Sequence, residues 1–369
     1  MAKTLKVAIV HDWLVGGGAE RVVEQLHKQY PDAPIYTSYC TPEWREKLDN
    51  KVVTGKMQKW PFSAIRRWAI ISSIGRISWF SNLDLSAYDV VISSKGNGEA
   101  NDLQVPDTTT HICYCHAPTH YYWRSYKKYL KDPGFGALNW AAKIGLRFFV
   151  GPFRKRDYRA AQKVDYFIAN SSFIAGEIKQ YYGREAVVIN PPLDTKRFEH
   201  SFTNKRSGFV TVSRQVLYKH NDILIKACNE LKLPLKVIGR GPEHARLVAI
   251  AGPTIEFLEN VNDQEVLEHL AGAEAFLSAS FEDFGIAPLE AIAAGTPVIA
   301  YGKGGVRDYV IPGKTGLFFE EQTVQSLVAV LKKFDSSKFN PKDVASFAGQ
   351  FSEQNFQKKI QTFVDQHTN

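Results

Sequence analysis

Short apolar runs, each followed by a stretch with helical character, set the rhythm of the chain. Lys6–Val10, Ile35–Thr37, Val90–Ser93, His111–Cys115, Tyr166–Ala169 and Val187–Ile189 have the apolar, β-branched content of buried strands. Pro191-Pro192-Leu193-Asp194 then breaks the pattern and reads as a linker. A second series follows at Phe209–Val212, Leu235–Ile238, Ile255–Phe257, Ala275–Leu277, Val298–Ala300 and Leu317–Phe319. The helix 324–333 closes it, and the tail from Pro341 is helical by pattern, with Phe347, Phe351, Phe356 and Phe363 as anchors. Strand and helix in alternation predict mainly parallel sheets covered on both faces, an α/β fold. Two such series predict two similarly built domains with a cleft between them, and ligands bound beyond the carboxyl ends of the strands. The expected boundaries are 1–192, 193–350 and a C-terminal helix, 351–369, that crosses back to the first domain.

Composition narrows this picture. With 369 residues the chain exceeds the size at which single cores stop growing, in keeping with two domains. No apolar run approaches the length of a membrane span. The N-terminus leads straight into a strand without the apolar core of a signal peptide. None of Cys40, Cys113, Cys115 and Cys228 stands in C-x-x-C spacing, so neither a zinc site nor a disulfide framework is suggested, and a reduced, cytoplasmic setting is expected. The net charge of +8 favours an anionic partner: nucleic acid, an acidic membrane face or a phosphorylated ligand.

Candidate chemistry collects at the turns after the strands. Glu282 and Glu290 bracket a strand-to-helix turn, Glu282-Asp-Phe-Gly-Ile-Ala-Pro-Leu-Glu290. A helix N-terminus presents free N–H groups to phosphate, while carboxylates accept hydrogen bonds from neutral hydroxyls. A ligand with both phosphates and hydroxyls, such as a nucleotide-sugar, fits that pairing; a plain acid-rich helix start fits the spacing too. Gly16-Gly17-Gly18 separates a strand from a helix, which suits close approach of a ligand or a tight turn alone. Arg214 and Lys219 follow the strand Phe209–Val212, and two cations on one strand end can hold separate oxygens of a diphosphate. His116 ends the strand 111–115, placed to face a cleft, whereas His111 at the strand start should point away. Pro312-Gly-Lys-Thr315 imitates the end of a phosphate loop, but without the required glycine at position 308, where Asp stands, it reads as a turn. Two stretches mix aromatic with basic residues, 56–80 and 121–156. They suit a membrane interface or nucleic acid, and no RNA-binding signature accompanies them.

Together these residues resemble the family-4 retaining glycosyltransferases of GT-B fold, over almost the whole chain. The resemblance lies in Glu282-x7-Glu290, Arg214 with Lys219, Gly239-Arg-Gly-Pro242, the Gly16-Gly17 loop, and Gly304-Gly305 before Thr315-Gly316. Tyr114-Cys-His116-Ala-Pro118 with Trp123 looks like a segment of bacterial mannosyltransferases that build surface polysaccharides. The resemblance implies that Glu290 holds the donor ribose and Glu282 the donor sugar. Arg214 and Lys219 would hold the diphosphate and stabilise the leaving group. Backbone N–H groups of Phe284, Gly285, Ile286 and Ala287 would bind phosphate and sugar hydroxyls. Gly16 and Gly17 would line the phosphate side, and His116 would sit beside the reacting sugar. It also implies no metal or other cofactor, GDP-mannose as first-choice donor, and a lipid-linked or polysaccharide acceptor. The basic charge and the aromatic-basic stretches add a peripheral anionic membrane surface as an expected partner, and without an RNA-binding signature no nucleic acid is expected. A nucleotide-sugar epimerase of the same fold and a non-catalytic nucleotide-sugar sensor are the alternatives. The segment after the strand 255–257 departs from the family, with Leu258-Glu259-Asn260 where a glycine is common, and Asp308 replaces a common Glu.

Overall fold

A computed structural model describes residues 5–59, 63, 69–131, 139–199 and 205–368. Two compact units divide the chain: Met1–Pro192 with Phe356–Asn369, and Leu193–Asn355. In the first, strands β1 (Val7–His11), β2 (Ile35–Thr37), β3 (Val52–Thr54), β4 (Val90–Lys95), β5 (Thr110–Cys115), β6 (Tyr166–Ala169) and β7 (Ala186–Val188) form one sheet in the order β3-β2-β1-β4-β5-β6-β7. Every pairing in it is parallel. Helices α1 (Gly18–Gln29), α2 (Pro42–Lys47), α3 (Ala69–Phe80), α4 (Tyr126–Lys131), α5 (Asn139–Gln162) and α6 (Ser172–Tyr182) belong to this unit.

The second unit has β8 (Phe209–Val212), β9 (Leu235–Ile238), β10 (Ile255–Leu258), β11 (Ala275–Ser278), β12 (Val298–Tyr301) and β13 (Gly316–Phe319), again all parallel, in the order β10-β9-β8-β11-β12-β13. Its helices are α7 (Asn221–Leu231), α8 (His244–Ala249), α9 (Asp263–Ala271), α10 (Ile286–Ala293), α11 (Val324–Leu331) and α12 (Pro341–Ala348). A last helix, α13 (Glu353–His367), begins there and ends in the first unit.

Both sheets are buried on both faces, which is why their strands read as continuous apolar runs rather than alternating ones. Along β1, Val7 and Ile9 join one core with Val22, Val23 and Leu26 of α1 and with Phe356, Ile360, Phe363 and Val364 of α13. Ala8 and Val10 point the other way, into a core with Phe80, Leu83 and Val91. In the second unit Val210, Phe276 and Val298 pack on α10 through Leu289 and Ile292, while Phe209, Ala275, Leu277 and Ile299 pack on α7 and α11. The strand β3 escapes the hydrophobic pattern because it is a three-residue edge strand, bonded on one side only and with Val53 exposed.

Pro312–Thr315 forms the turn that the sequence indicates, before β13. The four cysteines are free and buried, and burial pushes the thiols of Cys113 and Cys228 up to about 12. No helix among the described residues is long and apolar enough to cross a membrane. Of the aromatic-basic stretches, Trp60 and the segment Arg66-Arg67-Trp68 lie outside the described residues.

Candidate active site

In the second unit a pocket opens at the carboxyl ends of β8 and β11, at the N-terminus of α10. This is where the strand order reverses direction, since β8 leads outward to β9 and β11 to β12. Thr211, Ser213, Lys219, Asn221, Ser278, Ser280 and Glu282 supply its polar lining, and Gly285–Pro288 its helical wall. The Lys219 ammonium donates to Glu282 Oε1, and both side chains are mostly enclosed, 19% and 17% exposed. Ser280 Oγ donates to the same carboxylate oxygen at 2.6 Å, and Ser278 Oγ lies 3.1 Å from Ser280 Oγ. Ser213 and Asn221 bond each other across the β8 side, at 3.1 Å. The result is a row of hydroxyls ending in a carboxylate and an ammonium.

The backbone around Glu282 is fixed by close approach. Gly304 has φ +88°, and a Cβ there would lie 2.3 Å from the Glu282 carbonyl oxygen. Gly305 N–H donates to that oxygen at 2.9 Å. The glycine pair after β12 therefore holds the chain that carries Glu282. Gly285 has φ +88° and would meet the Tyr309 hydroxyl at 2.7 Å with a Cβ. That hydroxyl lies 2.9 and 2.7 Å from the Phe284 and Gly285 carbonyl oxygens, tying down the entry to α10. Pro288, in the first turn of α10, carries no N–H, so the amides that open the helix are those of Ile286 and Ala287.

In the first unit, parallel register sets the ends of β1, β4 and β5 side by side, with His11 opposite Ser94 and Ser94 opposite Tyr114. His11 Nδ1 lies 2.9 Å from the Ser94 carbonyl oxygen and 3.0 Å from Ser94 Oγ. A carbonyl only accepts, so this nitrogen carries the proton. Ser94 Oγ lies 2.9 Å from His116 Nε2, linking the two imidazoles. Beside them Asp12 accepts from the N–H groups of Gly96, Gly98 and Ala100, at 2.6, 3.0 and 2.8 Å, and fixes the loop after β4. Lys95, fully buried, reaches Thr119 Oγ1 at 2.8 Å and lies 3.5 Å from Asp157 Oδ1. Burial alone pulls its ammonium down, but the Asp157 carboxylate pushes it up on balance. His111 is buried at the start of β5 and bonds Ser93 Oγ at 2.8 Å; burial pushes its imidazole down to about 3.

The sequence-derived candidates fall into three places. Lys219, Glu282, Gly285, Ile286 and Ala287 meet in the pocket of the second unit. Arg214 is exposed on the loop after β8, without an ion-pair partner among the described residues. Phe284 is buried in the core against Tyr309 and Phe351, and Glu290 is half-buried farther along α10. His116, Gly16 and Gly17 belong to the first unit. Gly16 needs glycine, with φ +102°, but its N–H donates to Glu20 Oε1 at 3.0 Å. Thus a carboxylate in the first turn of α1 already occupies that amide of the glycine loop. Ser94, Ser280, Glu20 and Tyr309 carry no motif of their own. Only the spacing Ser278-x-Ser280-x-Glu282, with its period of two, signals residues on one face.

Two family profiles tile the chain: Glycosyltransferase Family 4 matches residues 16–197 and Glycosyl transferases group 1 matches residues 193–350. The chain belongs to the family-4 glycosyltransferases. It is a hexosyltransferase, and the paired pocket and helix N-terminus lie in the half matched by the group 1 profile. The alpha-1,3/1,6-mannosyltransferase ALG2 of Dictyostelium discoideum is 23% identical over 98% of both chains. The GDP-mannose-dependent monoacylated alpha-(1-6)-phosphatidylinositol monomannoside mannosyltransferase of Corynebacterium glutamicum is 30% identical, over 46% of this chain and 52% of that one. Among solved structures, HepE of Anabaena in complex with UDP-glucose matches with a TM-score of 0.68 at 16% identity, over 98% of this chain and 100% of that one. Sucrose-phosphate synthase of Thermosynechococcus elongatus matches with a TM-score of 0.69 at 14% identity, over 98% and 99%. These likenesses show the GT-B fold.

Proposed function

We propose that this glycosyltransferase moves mannose from GDP-mannose, with retention of anomeric configuration, to a lipid-linked or polysaccharide glycan at the inner face of an anionic membrane. The observation that carries the reading is the Lys219–Glu282 pair beside the open N-terminus of α10. One cation and free amides suit a diphosphate, and one carboxylate suits sugar hydroxyls. Donor entry separates the pair: Lys219, with Arg214, takes the diphosphate, and Glu282 takes the sugar. Glu290 is assigned to the ribose, Ile286 and Ala287 to phosphate or hydroxyl oxygens through their amides, Gly17 to the phosphate side and His116 to the reacting sugar.

In the reaction the anomeric C–O bond to the diphosphate breaks and the acceptor hydroxyl forms the new bond on the same face. Its proton passes to the departing phosphate oxygen. Lys219 and Arg214 stabilise the negative charge that develops there. The proposal includes no metal ion. Mannose is preferred because ALG2 and the Corynebacterium protein are named as mannosyltransferases, the second as GDP-mannose-dependent. HepE, solved with UDP-glucose, supplies the competing donor. Incubation with radiolabelled GDP-mannose, UDP-glucose and related donors, with and without lipid-linked acceptors, tests the reading. Label moving from GDP-mannose to acceptor is expected; transfer from UDP-glucose alone would overturn the donor assignment.

A further inference from the structure

The helix α5 has two unlike halves. Its C-terminal half is held by Asp157, whose carboxylate accepts from Trp123 Nε1 and from the Tyr182 hydroxyl, both at 2.7 Å. Val150, Ala160 and Ala161 are buried there as well. The N-terminal half, 139–149, contains no buried residue among those whose surroundings are described. Yet it reads Asn-Trp-Ala-Ala-Lys-Ile-Gly-Leu-Arg-Phe-Phe. Trp140, Ile144 and Phe148 recur at a spacing of four, on one side of the helix, and are 66%, 47% and 74% exposed. Lys143, Arg147 and Lys155 flank this row, and among the described residues none of them has an ion-pair partner. Nearby, Lys127, Lys128 and Lys131 of α4 are also exposed.

An unburied apolar row does not stabilise a helix in water, since helices in proteins owe most of their stability to a covered face. We infer that the first half of α5 is a docking surface that lies in the interface of an anionic bilayer, with Trp140, Ile144 and Phe148 inserted and the lysines and arginine at the headgroups. Charge selects this occupant. A second copy of the chain would bring the same cations face to face, which like-charge repulsion disfavours. Nucleic acid would match the charge, but Ile144 offers no ring to stack on bases. A bilayer takes the aliphatic, the aromatic and the basic side chains together. The inference deepens the membrane part of the proposed function and names the element responsible.

The test uses the full chain and vesicles of equal parts phosphatidylglycerol and phosphatidylcholine, with pure phosphatidylcholine vesicles as the neutral arm. Co-sedimentation is expected with the first and not the second. The triple variant Trp140→Ser, Ile144→Ser, Phe148→Ser should bind the anionic vesicles about 100-fold more weakly, because three inserted side chains are lost. Lys143→Glu with Arg147→Glu should remove the preference for anionic lipid. Brominated lipid should quench part of the tryptophan emission in the native chain, and less in Trp140→Phe. Thermal unfolding in buffer should be the same for all variants, since the altered positions are unburied. Unchanged vesicle binding by the triple variant would overturn the inference. So would a loss of dimer mass, or of RNA binding, with lipid binding intact. Transfer to a water-soluble glycan, measured in parallel, reads the enzyme activity apart from docking: retained transfer without vesicle binding sinks only the docking surface.

Discussion

Lys219 and Glu282, sixty-three positions apart in the chain, form an ion pair at the carboxyl ends of the adjacent strands β8 and β11. On the proposed reading the pair holds the two charges that the donor separates, next to the amides that open α10. Lys219→Ala should reduce turnover about 10²–10³-fold, as loss of a charge aimed at a leaving group does. Arg214→Ala should act in the same direction. Glu282→Ala should damage turnover, whereas Glu290→Ala should mainly weaken donor binding. Steady-state kinetics together with donor calorimetry separate these effects, and unchanged donor affinity in Glu290→Ala would remove the ribose assignment.

The glycine after β12 gives a prediction about positioning. In Gly304→Ala the new methyl group meets the Glu282 carbonyl oxygen, at a φ that disfavours side chains. Stability should fall by about 2–4 kcal/mol, from backbone strain and overpacking. Turnover should fall further than the unfolded fraction explains, because Glu282 moves with its backbone. Urea titration and kinetics on the folded protein check the two parts.

Ser94→Ala removes the hydroxyl between His11 and His116. Leaving buried polar groups short of a partner costs about 1–3 kcal/mol. If His116 works beside the reacting sugar, the pH profile of kcat should shift as well, since Ser94 no longer holds Nε2. A stability loss with an unchanged profile would make the Ser94 link purely architectural.

His111 predicts acid sensitivity. Its imidazole is pushed down to about 3 by burial, against about 6.5 in an unfolded chain. Between those values the unfolded state binds a proton that the native state does not, so stability falls as pH falls and is flat above. This group alone contributes a slope of about 1.4 kcal/mol per pH unit inside that window. Denaturant unfolding of the native chain and of His111→Gln from pH 7 to pH 4.5 should show a shallower decline in the variant.

The strands were largely legible in the sequence because both sheets are covered on both faces, which writes each strand as an apolar run. The edge strand β3 was not, for want of that cover. At the site, Glu282 and Lys219 were legible as residue types after strands, but their pairing depends on β8 and β11 being neighbours, a fact of strand order. Glu20 was hidden for a similar reason: its bond to Gly16 depends on the path of the glycine loop, and the contiguous glycines suggest open amides. The link from His11 through Ser94 to His116 comes from parallel register across three strands, which no local pattern records.

The four buried cysteines have a practical consequence. Thiolates react with maleimides and methanethiosulfonates, and thiols that are enclosed and held protonated are slow to form them. The native chain is therefore already a quiet background for site-directed labelling. A single cysteine introduced at Ile144 or Phe148 would carry a spin label or fluorophore without first stripping the protein of its own, and the depth of α5 could be mapped one position at a time.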